Sequence, residues 1–205
     1  MAQDGREKPL QKISEAFKDL ATTINSQHSD LEIAPFSHAC SLVSPLFSCL
    51  GIAFKFAEMD YVAKVNDLAE TSKSIATLKI MIDQDIQAKT VRKQGSHTRN
   101  LLRVKRGLDM VKVLFEQIIA TEGNLLKDAA STSYTQVFAP YHGWVIRKAV
   151  AAGMYALPTR SQLMLKLNED DNSARVQMEN YIATSEVVIG YIEKLFNSNE
   201  LGLDW

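Results

Sequence analysis

The chain has 205 residues, a length that suits one domain better than two. Hydrophobic residues make up 46% and charged residues 23%, which excludes a disordered, collagenous or disulfide-stapled chain. The formal net charge of −1 predicts no strong whole-surface attraction to nucleic acid or anionic membranes.

Residues 1–8 are polar and charged and read as a flexible N-terminus, without the apolar stretch of a secretory signal. Residues 9–205 read as one folded domain. Pro9 suits a helix start, and Leu10, Ile13, Phe17 and Leu20 follow three and four apart. Residues 25–30 form a polar break. A second helix starts near Ala34 and runs through Phe36, Ala39, Cys40, Val43 and Phe47, with Pro45 expected to kink it. Gly51 is a plausible bend.

Residues 52–68 and 75–86 read as two further helices. Ser96 is a candidate N-cap for a long helix over 98–121, which ends at Gly123. Residues 124–133 read as a polar connection, 134–157 as a helix, 161–167 as a turn, and 172–196 as the last helix. Glycine and proline, 9 and 5 residues, are about 7% of the chain against a usual level of about 12%, which favours long helices. No alternating run is flanked by hairpin turns. The expected architecture is all-α, one domain of seven to nine helices.

Cys40 and Cys49 would lie about 13 Å apart on one helix, too far for a disulfide. They read as small buried hydrophobes in a reducing compartment. No apolar run approaches the length of a membrane span. Dinucleotide, P-loop, zincin and nucleophile-elbow motifs are all absent. His28, His38, His97 and His142 show no metal-ligand spacing. No metal, cofactor or enzymatic activity is expected, and a soluble cytoplasmic protein is the default.

The near-neutral total hides a local excess. Residues 89–112 hold Lys89, Arg92, Lys93, Arg99, Arg103, Lys105, Arg106 and Lys112 against the single acid Asp109, a net of +7 in 24 residues. At helical spacing Arg99, Arg103 and Arg106 fall within about 60° of one another. The opposite face carries Leu101, Val104, Leu108, Val111, Phe115 and Ile118, which reads as core. The arginine stripe itself continues into Met110, Val113 and Leu114. A helix apolar on two sides is buried between layers. A cationic rim leading into an apolar interior matches an amphiphile with an anionic head. The plainer reading is a solvated basic face whose arginines pair with acids of a neighbouring helix. A nucleic-acid surface is disfavoured, because no aromatic residues interleave with the basic ones.

Asp60 and Lys64 are four apart on one helix face, and alone they read as a surface ion pair worth about 0.3–0.5 kcal/mol. His142, in Tyr141-His142-Gly143-Trp144, alone reads as structural. Together the segments carry more. Phe54-Lys55-Phe56-Ala57-Glu58-Met59-Asp60 with Lys64, then Arg99-Asn100-Leu101-Leu102-Arg103, then Tyr141-His142-Gly143-Trp144 resemble, in order, the three recognition segments of the glycolipid-transfer-protein superfamily. The resemblance runs from about Leu10 to Trp205.

The resemblance implies a single-domain two-layer helical sandwich that encloses one sphingolipid in an apolar pocket. It implies that Asp60 accepts hydrogen bonds from the ceramide amide and hydroxyl, and that His142 donates to the amide carbonyl. The glycolipid-binding branch has Asn where Lys64 stands and Trp where Arg99 stands. Lys64, Arg99 and Arg103 suit a phosphate, by charge and by forked donors. The implied function is non-enzymatic transfer of ceramide-1-phosphate and related phosphosphingolipids between membranes, with transient peripheral membrane contact and no nucleic acid. Arg106 shares the stripe and is held as a supporting residue behind the site. Trp144 is a membrane anchor or a core residue, and Trp205 could pack the C-terminal tail. The alternative is a lipid-sensing module or adaptor that regulates an unknown protein partner, for example in cell-death control.

Overall fold

A computed structural model describes residues 8–26, 30–51 and 54–205. The expected flexible N-terminus lies outside the described residues apart from Lys8, as do His28 and positions 52 and 53 of the expected third helix. Nine α-helices are formed among the described residues: α1 Pro9–Asn25, α2 Ile33–Cys49, α3 Lys55–Thr71, α4 Leu78–Gln87, α5 His97–Ala120, α6 Lys127–Val137, α7 Trp144–Gly153, α8 Arg160–Lys166 and α9 Asp171–Ser198. The only extended pairings among these residues are two isolated bridges, Glu32 with Thr77 and Leu125 with Thr159.

Local chemistry explains several boundaries. Pro9 opens α1, where its missing N–H costs nothing. Pro45 sits inside α2 but does not interrupt it. Its missing N–H deprives Ser41 O of a helical donor, and the Ser44 hydroxyl donates there instead at 2.8 Å. Ser96 caps α5, as expected, by accepting from Arg99 N at 3.2 Å. Asp85 then secures that cap, accepting from Ser96 Oγ and Thr98 N at 2.8 Å each. Burial works against the Asp85 carboxylate, yet hydrogen bonds from Thr98, Thr90 and Ser96 hold it below the usual carboxylate range.

Three expectations need correction. The polar connection over 124–133 contains most of α6. Three of its inward residues are Ala129, Ala130 and Ser133, too small to raise the apolar signal. The single helix over 134–157 is four pieces, the end of α6, a 3-10 turn, α7 and a second 3-10 turn at Met154–Ala156. It breaks at a 3-10 turn, Ala139–Tyr141, because Pro140 lacks a donor and both His142 and Gly143 are extended. The turn over 161–167 is the helix α8, started by a capping box between Thr159 and Gln162. Cys40 is buried as expected, Cys49 only half-buried, and both are free thiols.

The helices stack as a two-layer sandwich around one core. α1 pairs with α9 and with α2, and α2 pairs with α3. α5 touches α3, α4, α6 and α9, so it has almost no solvent face. Its expected core side is buried throughout, from Leu101 to Ile118. There Phe115 and Phe17 pack edge-on against Tyr181 at 5.5 and 4.9 Å. The Tyr181 hydroxyl donates to Leu108 O at 3.3 Å, which satisfies the one polar group in that cluster.

α3 meets α5 across Gly107. A Cβ there would lie 2.6 Å from the Tyr61 ring, and the buried Tyr61 hydroxyl is fixed by donating to Cys40 O at 3.1 Å. Glycine to alanine inside a helix ordinarily gains about 1 kcal/mol. Here the ring has nowhere to go, so Gly107→Ala is expected to cost about 1–3 kcal/mol in urea unfolding. Unchanged or increased stability would show that α3 can retreat.

Candidate functional site

The antiparallel contact of α3 and α5 assembles the site. Asp67 accepts from Asn100 Nδ2 at 2.8 Å and lies 2.9 Å from His97 Nδ1. Tyr61 crosses Gly107 two turns further along α5. Between these two fixed points the helices bring Lys64 beside Arg103, and Asp60 stands one turn before Lys64, next to Tyr61. Lys64, Asp60 and Arg103, together with His142, line one cavity of about 580 Å³.

The polar groups gather at the mouth. Lys64 Nζ is ion-paired with Asp60 Oδ1, the i,i+4 pair expected from the sequence. Asp60 is mostly exposed and keeps Oδ2 without a partner among the described residues. Arg103 is half-buried, and its guanidinium makes no hydrogen bond or ion pair with any described residue. His142 Nδ1 lies 2.9 Å from the Tyr134 hydroxyl, and its ring stacks on Phe138 at 5.7 Å. Arg147 Nε donates to His142 O at 2.7 Å. Burial first, then Arg103, Arg106 and Arg147, push the imidazole below the ordinary histidine value. It is therefore neutral at pH 7, with Nδ1 engaged and Nε2 left to face a ligand.

The rest of the lining is apolar. Met110, Val111, Leu114 and Phe115 continue down α5, and α7 adds Val145, Ile146, Ala149, Val150 and Gly153. Met110 and Leu114 are thus the buried apolar continuation of the arginine stripe; Val113 does not line the cavity. One edge is open. Phe56, Val145 and Ile146 line it while 84%, 71% and 49% exposed. Trp144, at 71%, extends this rim. Its core-packing reading is thereby overturned.

The three arginines do not act alike. Arg99 lies one turn before Arg103, outside the cavity lining, and its guanidinium has no partner among the described residues. Arg106 is buried and turned away from the mouth. Its Nη2 donates to Leu203 O and to the Trp205 main-chain oxygen, at 2.7 Å each. Its guanidinium lies 3.5 Å over the Tyr141 ring. Arg106 thus braces the segment beside His142 from behind. Trp205 packs the tail: its ring lies 6.4 Å from Phe196, and its Nε1 donates to Leu201 O at 2.9 Å.

The plainer reading of the basic stretch is corrected as well. No described carboxylate pairs with Arg99, Arg103 or Arg106. The two α9 acids that reach the basic stretch go to lysines instead, Glu193 to Lys105 and Glu186 to Lys112.

Several site residues escaped the sequence reading. Tyr134 and Phe138 stand eight and four positions before His142, a spacing that could have marked one shared face. Asn100 and Asp67, which set the register of α3 on α5, carried no local signal.

A family model described as "Glycolipid transfer protein (GLTP)" matches residues 31–169. "Accelerated cell death 11" of Arabidopsis thaliana is 64% identical over 206 residues, spanning 100% of both chains. The Arabidopsis thaliana "ACD11 homolog protein" is 50% identical over 203 residues, covering 96% of this chain and 89% of that protein. A solved structure of a point mutant of Arabidopsis accelerated cell death 11, complexed with C12 ceramide-1-phosphate, superposes with a TM-score of 0.95 at 64% identity. It covers 97% of this chain and 99% of that one. The ordered recognition segments, the helical sandwich around an apolar cavity and these matches agree: the chain belongs to the glycolipid transfer protein family.

Proposed function

We propose that the protein transfers ceramide-1-phosphate between membranes, as a carrier rather than an enzyme. The observation that carries this reading is Arg103, which has no carboxylate partner among the described residues, beside Lys64 at the mouth of an apolar cavity. The solved relative at 64% identity, complexed with C12 ceramide-1-phosphate, supports the same cargo. Family proteins of this kind are non-enzymatic lipid carriers.

Each polar group has a role. Arg103 and Lys64 hold the phosphate at the mouth. Arg99, unpaired and one turn away, reaches it from the outer side. Asp60 accepts from the ceramide amide and hydroxyl, and His142 Nε2–H donates to the amide carbonyl. Lys64 aims the Asp60 carboxylate through their ion pair. The hydrocarbon lies along Met110, Val111, Leu114 and Phe115.

The head group must decide the cargo. Each buried methylene is worth about 0.8 kcal/mol relative to water, but a bilayer offers nearly the same environment. Chain transfer from membrane to cavity is therefore close to neutral. Charged hydrogen bonds worth about 1.5–3 kcal/mol each distinguish a phosphate from a sugar or a bare hydroxyl. Loading takes place at the membrane surface, where Trp144 and the rim of Phe56, Val145 and Ile146 enter the interfacial zone. No helix among the described residues is long and apolar enough to cross a membrane.

Arg103→Gln is expected to lower vesicle-to-vesicle transfer of fluorescent ceramide-1-phosphate by about tenfold or more, with the helical circular-dichroism signal retained. Normal transfer by this variant would remove Arg103 from the site. Offered phosphorylated, glycosylated and plain ceramides together, the protein should retain the phosphorylated species in native mass spectrometry. Retention of a glycosylated ceramide would contradict the phosphate reading.

His142 should titrate below an ordinary histidine in NMR of its imidazole protons. Arg103→Gln removes a repelling positive charge, so the midpoint should move upward. A midpoint that does not respond would separate the two residues electrostatically.

A further inference from the structure

α8 lines the cavity near the end of α5 away from Arg103. α5 lines the cavity from Arg103 to Phe115, a rise of about 18 Å at helical spacing. α7 runs alongside, from Val145 near the mouth to Gly153. Arg160 Nη1 donates to Ile118 O at 3.0 Å, which fixes the start of α8 at the last turns of α5. Lys166 Nζ donates to Cys49 O at 3.0 Å, which fixes its other end at the last residue of α2. Leu163, between these anchors, and Leu167, the C-cap just after the second, are buried and line the cavity. The Thr159–Gln162 capping box stiffens the short helix that carries them.

We infer that Leu163 and Leu167 form the stop that sets the hydrocarbon length this protein carries, an inference that rests on the carrier reading above. One leaflet of a bilayer is about 15 Å thick in its hydrocarbon, half of a core of about 30 Å. A cavity that runs for a similar length from the phosphate site takes one ordinary lipid chain nearly end to end. A chain that reaches Leu163 and Leu167 meets packed side chains, not space. A longer chain must turn back toward the open rim at Phe56, Val145 and Ile146, where apolar carbon returns to water. A shorter chain leaves a void against the floor and loses contacts there. Loading therefore peaks at one chain length.

The test is transfer of a ceramide-1-phosphate series whose N-acyl chains rise in two-carbon steps from short to very long. The unaltered protein should show a single maximum. Leu163→Ala should move that maximum longer by about two to four carbons, matching the side-chain volume removed. Leu163→Phe, which fills the floor and creates no cavity, should move it shorter. Leu165→Ala, on the same helix but exposed, should leave the profile in place. A flat profile for the unaltered protein overturns the stop. So do Leu163 variants that change only the height of the maximum. Failure of the unaltered protein to transfer ceramide-1-phosphate of any length overturns the carrier reading, and the stop with it.

Discussion

The site depends on how closely α3 can approach α5. Gly107 has no side chain, so the Tyr61 ring fills the space where a Cβ would stand. That contact, and the Asp67–Asn100 hydrogen bond beyond it, set the register of two antiparallel helices. Lys64 then stands beside Arg103 because it lies between two fixed points, and Asp60 adjoins one of them. A wider spacing would split the mouth of the cavity and separate its cations. A stabilising contact in the fold is therefore also the contact that assembles the binding groups.

Charge is distributed with the same economy. α5 is strongly basic, and α9 offers acids along it. Lys105 and Lys112 take those acids. Arg103 is left without a carboxylate partner and faces the cavity. An unneutralised guanidinium beside Lys64 is electrostatically unfavourable until an anion arrives. His142 adds a neutral donor, because burial and three arginines keep its imidazole uncharged.

The C-terminal tail supports this arrangement from behind. Arg92 donates to Leu201 O at 3.1 Å and lies 5.2 Å over the Trp205 ring. Arg106 grips Leu203 and Trp205 and packs on Tyr141, the neighbour of His142. The tail thus links the loop before α5, the middle of α5 and the 3-10 turn that leads to His142. Of three arginines on one stripe, one lines the cavity, one stands outside it, and one braces the C-terminal tail. The difference arises from what each meets across the helix surface.

Periodicity alone established the all-α class, the two-sided burial of α5 and its cap at Ser96, because long apolar stripes and side-chain capping are local effects. The three recognition segments were legible as a resemblance, and the i,i+4 relation of Asp60 and Lys64 followed from spacing. The helix α6 was not legible, since it buries alanine and serine. Nor was α8, a seven-residue segment held by contacts to Ile118 and Cys49, distant in sequence. The roles within the arginine stripe were also beyond the sequence. Helical angle places Arg99, Arg103 and Arg106 within one narrow arc, but only tertiary packing decides which meets a tail carbonyl and which meets a cavity. Short-range propensity fixes what a helix is. Which side chain lies opposite which is fixed by contacts between elements far apart in the chain, and a binding site is made of those contacts.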